Sequence, residues 1–172
     1  MVLNKLLLNS IKYFYIGVIT MIKFEKAKGF EDQDIKLPVR SSKDSNGYDF
    51  YANETVVVPS YPKYLLIAHA SVKPVMVSTG VTAKFPDDVA LLILDRSSNP
   101  IKRGLSLANS VGDIDSGYFP LEIKGMFYNF SDQYYVINKG DKIMQGIFVP
   151  FLLTSNDQAK GKRDGGFGST GR

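Results

Sequence analysis

The chain of 172 residues contains no cysteine and only one histidine. The absence of cysteine excludes a disulfide scaffold, a cysteine zinc site and a thiol nucleophile. His69 lies in a strand-like apolar run, where we expect a structural role. A Ser-His-Asp triad or a multi-histidine metal centre would depend on this one residue. We therefore expect any chemistry to use carboxylates, cations and a hard metal ion.

The sequence also lacks an uninterrupted apolar run of about 20 residues, the length that a transmembrane helix needs. Residues 1–20 are apolar, but Lys5 and Lys12 interrupt them, and no small-residue cleavage pattern follows. A second methionine, Met21, precedes what reads as an ordinary domain start. We interpret residues 1–20 as an extension outside the functional unit, and we expect a cytoplasmic protein.

Strand and turn residues are abundant, with 15 Gly, 8 Pro, 10 Tyr and 11 Phe. Short apolar runs bounded by turn residues predict strands at residues 56–58, 64–73, 75–84, 89–94, 105–109, 121–129, 134–137 and 143–151. Many short strands at near-regular spacing indicate an all-β sandwich or barrel. One short helix is expected at residues 99–103.

The composition divides the chain into an extension at residues 1–20, an all-β domain at residues 21–153 and a C-terminal arm at residues 154–172. The arm is polar and rich in glycine, so we expect it to be mobile. The formal net charge of +4 suits an anionic small molecule as well as a nucleic acid, so charge decides little about the partner.

Two segments place polar groups beside predicted strands. Asp49 lies between aromatic residues in the segment 47–52, and it is either a turn cap or a functional carboxylate. Arg96, Ser97 and Ser98 offer a guanidinium fork and two hydroxyls, which suit phosphate oxygens. The alternative for these three residues is a loop in which a serine caps the following helix.

The segment 109–118 combines an amide, two carboxylates and a tyrosine around a turn. Asp113 and Asp115 share a face if the segment is extended, and Gly112 lets the backbone approach a ligand closely. Such a hairpin can read the edge of a base, or its acids can simply be solvated. In the segment 139–145, a Gly-Asp turn enters a strand that carries Gln145, and alone this pattern indicates only a turn.

The C-terminal residues carry a Gly-rich pattern with one aromatic ring and two hydroxyls. Four glycines within residues 165–171 let backbone amides approach an anion. Phe167 offers a face on which a base can stack, and Ser169 and Thr170 add donors. The alternative is a disordered Gly-rich tail.

Taken in order, these segments resemble the five motifs of the homotrimeric dUTP diphosphatases (dUTPases). The matching segments are residues 47–52, 96–98, 112–118, 140–145 and 165–171. Residues 78–81 also match the family's pattern, and the resemblance covers about residues 46–172. It implies a jelly-roll-like all-β subunit that forms a homotrimer. It also implies hydrolysis of dUTP to dUMP and pyrophosphate by attack of water on the α-phosphorus.

The resemblance also implies roles for individual residues. Asp115 would be the general base, and Tyr118 would pack on the deoxyribose and exclude a 2′-hydroxyl. Asn109, with the backbone of Gly112, Asp113 and Ile114, would read uracil. The phosphate oxygens would be held by Arg96, Ser97, Ser98 and Gln145. Further substrate contacts would come from Lys162, Arg163, Phe167, Gly168, Ser169 and Thr170, with Phe167 over the base and both hydroxyls on the terminal phosphate.

The family's cofactor is Mg²⁺, held by the triphosphate and water, so Asp49 would be at most a partner of the metal through water. The implied partners are dUTP and two further copies of the chain, without a membrane or a nucleic acid. Several positions depart from the family pattern. Asp95 stands where proline is usual, Gly117 replaces an acid, and Phe119 stands where a basic residue usually follows. In the arm, Lys162 aligns with the family's arginine and Arg163 lies one residue later.

Two alternatives remain beside this interpretation. The related dCTP deaminases share the fold, but they need a catalytic glutamate where this chain has Met126. A regulator built on the dUTPase scaffold would instead bind a repressor protein, and intact Asp115 and Tyr118 do not exclude such a regulatory protein partner.

Overall fold

The computed structural model describes residues 21–61 and 73–161. Within these ranges the chain forms twelve strands and two short helical turns, and the all-β prediction is confirmed. The strands are β1 (Lys23–Lys26), β2 (Val39–Arg40), β3 (Tyr48–Tyr51), β4 (Val56–Val58), β5 (Val75–Val77), β6 (Val81–Lys84), β7 (Val89–Asp95), β8 (Leu105–Leu107), β9 (Val111–Ile114), β10 (Gly125–Asn129), β11 (Tyr135–Ile137) and β12 (Lys142–Pro150).

The largest sheet has five antiparallel strands in the order β2-β3-β12-β7-β9. Its centre is the pair β7 and β12, which are the two longest described strands. In β7, Leu91 and Ile93 are buried while Leu92 between them is half-buried. This alternation places every second side chain on the core face.

Three smaller sheets complete the described part of the fold, with the strand orders β5-β10-β8, β1-β6 and β11-β4. Their inward side chains share one apolar core with the large sheet. Phe50 from β3, Phe127 from β10 and Ile137 from β11 are all fully buried in that core. The core therefore fixes β7 and β9 against the β8–β10 side of the molecule, and the candidate site lies along that contact.

The predicted strand at residues 75–84 is wrong as a single element, because the chain turns at residues 78–80. Gly80 adopts a left-handed conformation with φ +67°. The Glu122 carboxylate accepts hydrogen bonds from the backbone amides of Thr79 (3.0 Å) and Gly80 (2.8 Å). An acid far along the chain thus holds the turn between β5 and β6.

Other predicted elements differ mainly at their ends. The helix expected at residues 99–103 is confirmed as the helical turn Asn99–Arg103. The strand expected at residues 121–129 begins only at Gly125, and that expected at residues 105–109 ends at Leu107. Strand β9 was expected only as an extended hairpin segment.

Some expectations fall on residues that the structure does not describe. These are the extension at residues 1–20, His69 with most of the strand expected at residues 64–73, and the arm from residue 162 onwards. Residues 151–161 contain neither helix nor strand, and they are exposed. Across the described ranges, no helix combines the length and apolar character needed to cross a bilayer.

Candidate active site

A pocket of about 190 Å³ lies beside β9 and contains all five residues predicted to surround the base and sugar. The strand register places β9 antiparallel to β7, with Gly112 opposite Ile93 and Asp113 opposite Leu92. Asn109 in the turn before β9 and Tyr118 in the short helical turn after it both line the pocket. The predicted residues that line it are Asn109, Gly112, Asp113, Ile114 and Tyr118.

Gly112 allows this pocket to be tight. A Cβ atom at this position would lie 3.2 Å from Cβ of Ile93 and 3.4 Å from Nδ2 of Asn109. Any larger residue would push against a rigid strand on one side and the predicted base-reading amide on the other. The pattern of a glycine between Asn109 and the acids therefore has a steric cause.

Tyr118 forms one wall of the pocket and is 8% exposed. Its hydroxyl donates a hydrogen bond of 3.0 Å to the backbone carbonyl of Glu122. This bond fixes the ring, since both ends of the side chain are anchored. A fixed ring at the wall can discriminate between sugars by shape.

Asp115 lies directly after β9 with an extended backbone (φ −90°, ψ 164°). Its backbone carbonyl accepts a hydrogen bond of 3.1 Å from the Tyr118 amide. This turn sets the spacing between Asp115, the predicted general base, and Tyr118, which is predicted to pack on the sugar. Ser116 donates a hydrogen bond of 2.6 Å to Asp87, which precedes β7. The Asp115 end of β9 is therefore fixed at the start of β7.

A second cluster surrounds Asp49, which is 5% exposed. Lys142 Nζ lies 2.7 Å from its Oδ2, Arg96 Nε donates to its Oδ1 at 3.1 Å, and Ser41 donates from its hydroxyl. Burial raises the pKa of Asp49, but the hydrogen bonds from Lys142 and Ser41 and the charges of Arg96 and Lys142 outweigh it and lower the pKa below its ordinary value. Asp49 is thus held ionised within an ion-pair network.

Gln145 joins this cluster through the sheet. It is paired in register with Asp49 on β3 and Leu94 on β7, and its amide donates to the Asp95 carbonyl at 3.3 Å. Arg96 Nη1 also donates to the Lys142 carbonyl at 3.2 Å. The segments 96–98 and 140–145 therefore meet within one chain, and their contact with phosphate stays a prediction.

Ser97 and Ser98 follow Arg96 at the end of β7. Ser97 is exposed, and the Ser98 hydroxyl is buried without a hydrogen-bond partner among the described residues. Ser98 precedes the helical turn Asn99–Arg103 but makes no side-chain cap bond, since its backbone is already helical (φ −74°, ψ −20°). Ser98 therefore occupies the cap position of the turn without capping it through its side chain.

The two clusters lie at opposite ends of β7 within one chain. The register that pairs Leu91 with Ile114 and Leu94 with Val111 brings Asp115 level with Ala90. Arg96 is six residues further along, which is about 20 Å at 3.3 Å per residue. The Arg96 side chain also reaches toward β3, on the side of β7 away from β9.

The described residues contain no group of three or more His, Cys, Asp or Glu side chains that could hold a metal ion. Asp49, the residue predicted to reach Mg²⁺ through water, has both carboxylate oxygens bound by protein groups. The predicted arm residues Lys162, Arg163, Phe167, Gly168, Ser169 and Thr170 lie outside the described ranges. Their sites stay predictions.

Sequence reasoning missed Lys142 and Ser41, the two partners that share Oδ2 of Asp49. Both belong to other segments of the chain, so no local pattern connects them with Asp49. The one available signal was Lys142, a basic residue at the start of the strand that carries Gln145. Its contact with Asp49 can be inferred only when that strand is known to pair with β3.

Known proteins resemble this chain in sequence and in fold. The dUTPase family model matches residues 33–171. A deoxyuridine 5′-triphosphate nucleotidohydrolase of Lactococcus lactis is 41% identical over 155 residues, covering 86% of this chain and 96% of the relative. One from Hydrogenobaculum is 34% identical, covering 81% of this chain and 92% of the relative.

Solved structures give the same result for the fold. The crystal structure of a Streptococcus mutans dUTPase has a TM-score of 0.67 at 34% identity, covering 77% of this chain and 98% of that one. A dUTPase from phage phi11 of S. aureus has a TM-score of 0.64 at 20% identity, covering 82% of this chain and 97% of that one, and it supports the fold alone. The chain belongs to the dUTPase family.

Proposed function

We propose that this chain hydrolyses dUTP to dUMP and pyrophosphate by attack of water on the α-phosphorus. The observation that carries the proposal is the pocket beside β9, which contains the predicted base-reading and sugar-packing residues of a dUTPase chain. Asp115 lies in sequence between the pocket-lining residues Ile114 and Tyr118. The pocket thus has a carboxylate close to where a bound sugar would carry its phosphates.

In this proposal the pocket selects deoxyuridine. The Asn109 amide and the backbone of β9 present donors and acceptors for the base edge. The Tyr118 ring cannot turn away to admit a 2′-hydroxyl, because its own hydroxyl is bonded to the Glu122 carbonyl. Asp115 accepts a proton from the attacking water, which is the role of a general base.

The cluster around Asp49 is proposed to hold the phosphates. Arg96 and Lys142 both contact the Asp49 carboxylate, and Arg103 donates to the Lys142 backbone carbonyl. These three cations outnumber the two carboxylates of the cluster, those of Asp49 and Asp95, so the cluster carries an excess of positive charge. Because Asp49 is ionised, it orients Arg96 and keeps the guanidinium in place. A cluster oriented before substrate binds lowers the barrier more than mobile side chains can.

We further propose that the complete site forms between chains of a homotrimer. Within one chain about 20 Å separate Asp115 from Arg96, which is too far for both to act on one α-phosphate. Two copies can bring the Asp115 end of one chain to the Arg96 loop of the next. A cyclic assembly makes every such contact equivalent.

The described residues suit a metal ion that arrives with the substrate better than one that the protein holds. They form no cage of metal ligands, and the oxygens of Asp49 are already bound. We propose Mg²⁺ coordinated by the triphosphate and water, where it would neutralise phosphate charge. A phage phi11 dUTPase is described with a structural Mg(II) ion, but its 20% identity supports only a shared fold.

Neither alternative function gains support from the pocket. Met126, which stands at the position of the deaminase glutamate, lines the pocket, and a thioether cannot transfer protons. A Staphylococcus phage 80alpha dUTPase is described as controlling transfer of virulence genes, but it is 19% identical. That likeness supports the fold alone, and repressor binding by this chain stays a prediction.

The test is to incubate the purified protein and Mg²⁺ with dUTP, UTP, dTTP and dCTP separately. We expect pyrophosphate from dUTP at a far higher rate than from the other three nucleotides. Asp115→Asn keeps the shape and serves as the matched control for a contaminating phosphatase. Comparable hydrolysis of UTP would contradict the role of Tyr118, and ammonia release from dCTP would favour the deaminase.

A further inference from the structure

Asp95 is the last residue of β7 and directly precedes the phosphate segment. Its Oδ1 accepts hydrogen bonds from the Arg96 amide (2.8 Å) and from Asn99 Nδ2 (2.6 Å). Its Oδ2 accepts one from the Leu107 amide (3.1 Å). A single carboxylate therefore binds the start of the phosphate loop, its helical turn and the strand that leads to Asn109.

These bonds extend to the remaining phosphate ligand. Asn99 is fully buried, and its amide also donates to the Ile143 carbonyl at 2.7 Å, in the strand that carries Gln145. Gln145 in turn donates to the backbone carbonyl of Asp95. Asp95 thus fixes the loop of Arg96, Ser97 and Ser98 relative to Gln145 in two ways. Its side chain binds the loop and Asn99, and its backbone carbonyl accepts the hydrogen bond from Gln145.

The charge of Asp95 opposes the function proposed for this cluster. A carboxylate beside a phosphate-binding loop repels the substrate, so attraction of the ligand cannot explain it. The geometry of Asp95 does explain its presence, because a carboxylate accepts several hydrogen bonds at once and hydrogen bonds to an ionised acceptor are the stronger ones. Any benefit must therefore come from holding the loop.

We propose that Asp95 is a positioning residue for the phosphate subsite, and that it holds Arg96, Ser97 and Ser98 in the arrangement that binds the triphosphate. This inference rests on the proposed function of the cluster. It adds a residue that touches no substrate and acts through the loop. The opposite hypothesis is that Asp95 is a bystander whose charge weakens binding.

Glu122 provides a matched control within the same chain. Its Oε1 also accepts three hydrogen bonds, from Ser78 Oγ, the Thr79 amide and the Gly80 amide, and it holds a different loop. Its backbone carbonyl accepts the hydrogen bond from the Tyr118 hydroxyl, and Glu122→Gln retains that carbonyl. Glu122→Gln and Asp95→Asn both remove one carboxylate charge. Asp95→Asn must turn an amide donor toward a backbone amide, because both oxygens of Asp95 accept one. Glu122→Gln can keep its three hydrogen bonds by placing its nitrogen at Oε2, which faces Lys124.

The experiment compares the wild type with Asp95→Asn, Asp95→Glu and Glu122→Gln. It measures kcat and KM for dUTP, and the affinities for the non-hydrolysable α,β-imido-dUTP, for inorganic triphosphate and for deoxyuridine. Both Asp95 variants should bind imido-dUTP and triphosphate about tenfold more weakly or worse. They should lose less affinity for deoxyuridine, because Asp95 reaches the base pocket only through the Leu107 amide. Glu122→Gln should leave the triphosphate affinity near wild type, even where it lowers stability, because its carboxylate holds the turn at residues 78–80.

Asp95→Glu keeps the charge and moves the carboxylate by one methylene, so it separates geometry from charge and provides a second variant if Asp95→Asn does not fold. A rise in triphosphate affinity in Asp95→Asn, or a wild-type affinity in Asp95→Glu, would overturn the inference. A wild-type protein that binds triphosphate but hydrolyses no dUTP would refute the proposed function, and the triphosphate affinities would still decide the role of Asp95. Failure of the wild type to bind any of these probes would overturn both.

Discussion

The separation of Asp115 and Arg96 predicts that two differently inactivated chains restore activity when they assemble together. Asp115→Asn removes the proposed general base and should lower kcat by about 10²–10⁴-fold. Arg96→Gln keeps an amide that can bond to Asp49 but removes the charge, and should lower kcat/KM by about 10–100-fold. Each variant alone should therefore be nearly inactive.

The expected recovery follows from the geometry. About 20 Å lie between the two residues in one chain, so each site must take Asp115 and Arg96 from different chains. In a random 1:1 mixture, one chain supplies an intact Asp115 half the time and its neighbour supplies an intact Arg96 half the time. About a quarter of the sites should then be complete and of wild-type activity.

The assay mixes the two variants, refolds them together from urea, confirms mixed oligomers by native mass spectrometry and measures pyrophosphate release. The control is a 1:1 mixture of wild type with the double variant Arg96→Gln/Asp115→Asn. That mixture should also give about a quarter of wild-type activity if sites form between chains, but about half if each chain holds its own site. The reasoning is refuted if mixed oligomers form and the activity of the two single variants does not rise above its separate values.

Three further predictions concern single features of the site. The pKa of Asp49 is lowered in the folded chain, so ionised Asp49 stabilises the fold. This contribution is complete above the pKa of the unfolded chain, near 4, and is lost as pH falls through the pKa of the folded chain. In urea unfolding, Asp49→Asn should lower the free energy of unfolding by about 1–3 kcal/mol at pH 7 and by less at pH 3. Equal costs at both pH values would contradict this assignment. Gly112→Ala should weaken imido-dUTP binding, by about 1–3 kcal/mol in calorimetry, because its Cβ meets Ile93 at 3.2 Å; unchanged affinity would show that the pocket has room. Truncation after Lys160 should leave a folded protein with severely reduced turnover, and Phe167→Ala should weaken binding by about 1–3 kcal/mol if the ring stacks on the base; full activity of the truncated chain would make the arm a disordered end.

The parts of the fold that sequence predicted well are those that local patterns determine. Strands β4, β7, β11 and β12 were expected within two residues of their ends, because runs of β-branched and apolar residues alternate between turn residues. The strands β1 and β2 were not expected. β2 has two exposed residues, and its existence depends on pairing with β3.

The turn between β5 and β6 shows why one long strand was expected in its place. The residues themselves favour extended structure as far as Lys84, and only Gly80 gives a local sign of a break. The decisive contacts come from Glu122, whose carboxylate accepts the amides of Thr79 and Gly80. Contacts between distant segments leave no periodic pattern in the sequence.

The candidate site divides in the same way. The residues around Gly112 could be found because they are contiguous, and five of them line one pocket. The cluster around Asp49 joins β3, the end of β7 and β12, and its two cations come from segments far apart in the sequence. The resemblance to the dUTPases predicted Arg96 and Gln145 as members of this cluster. It did not predict Lys142, the second cation that binds Asp49.

Asp95 illustrates how a departure from a family pattern can be interpreted physically. Proline limits a backbone by fixing φ, and this chain has in that place a residue that limits the backbone by accepting hydrogen bonds from Arg96, Asn99 and Leu107. The two residues differ in charge. The negative charge of Asp95 is compatible with phosphate binding only if the affinity gained by holding the loop exceeds the affinity lost by repulsion. That balance is measurable as the sign of the change in triphosphate affinity, so the substitution that looked least favourable for phosphate binding becomes the most direct test of how the loop is held.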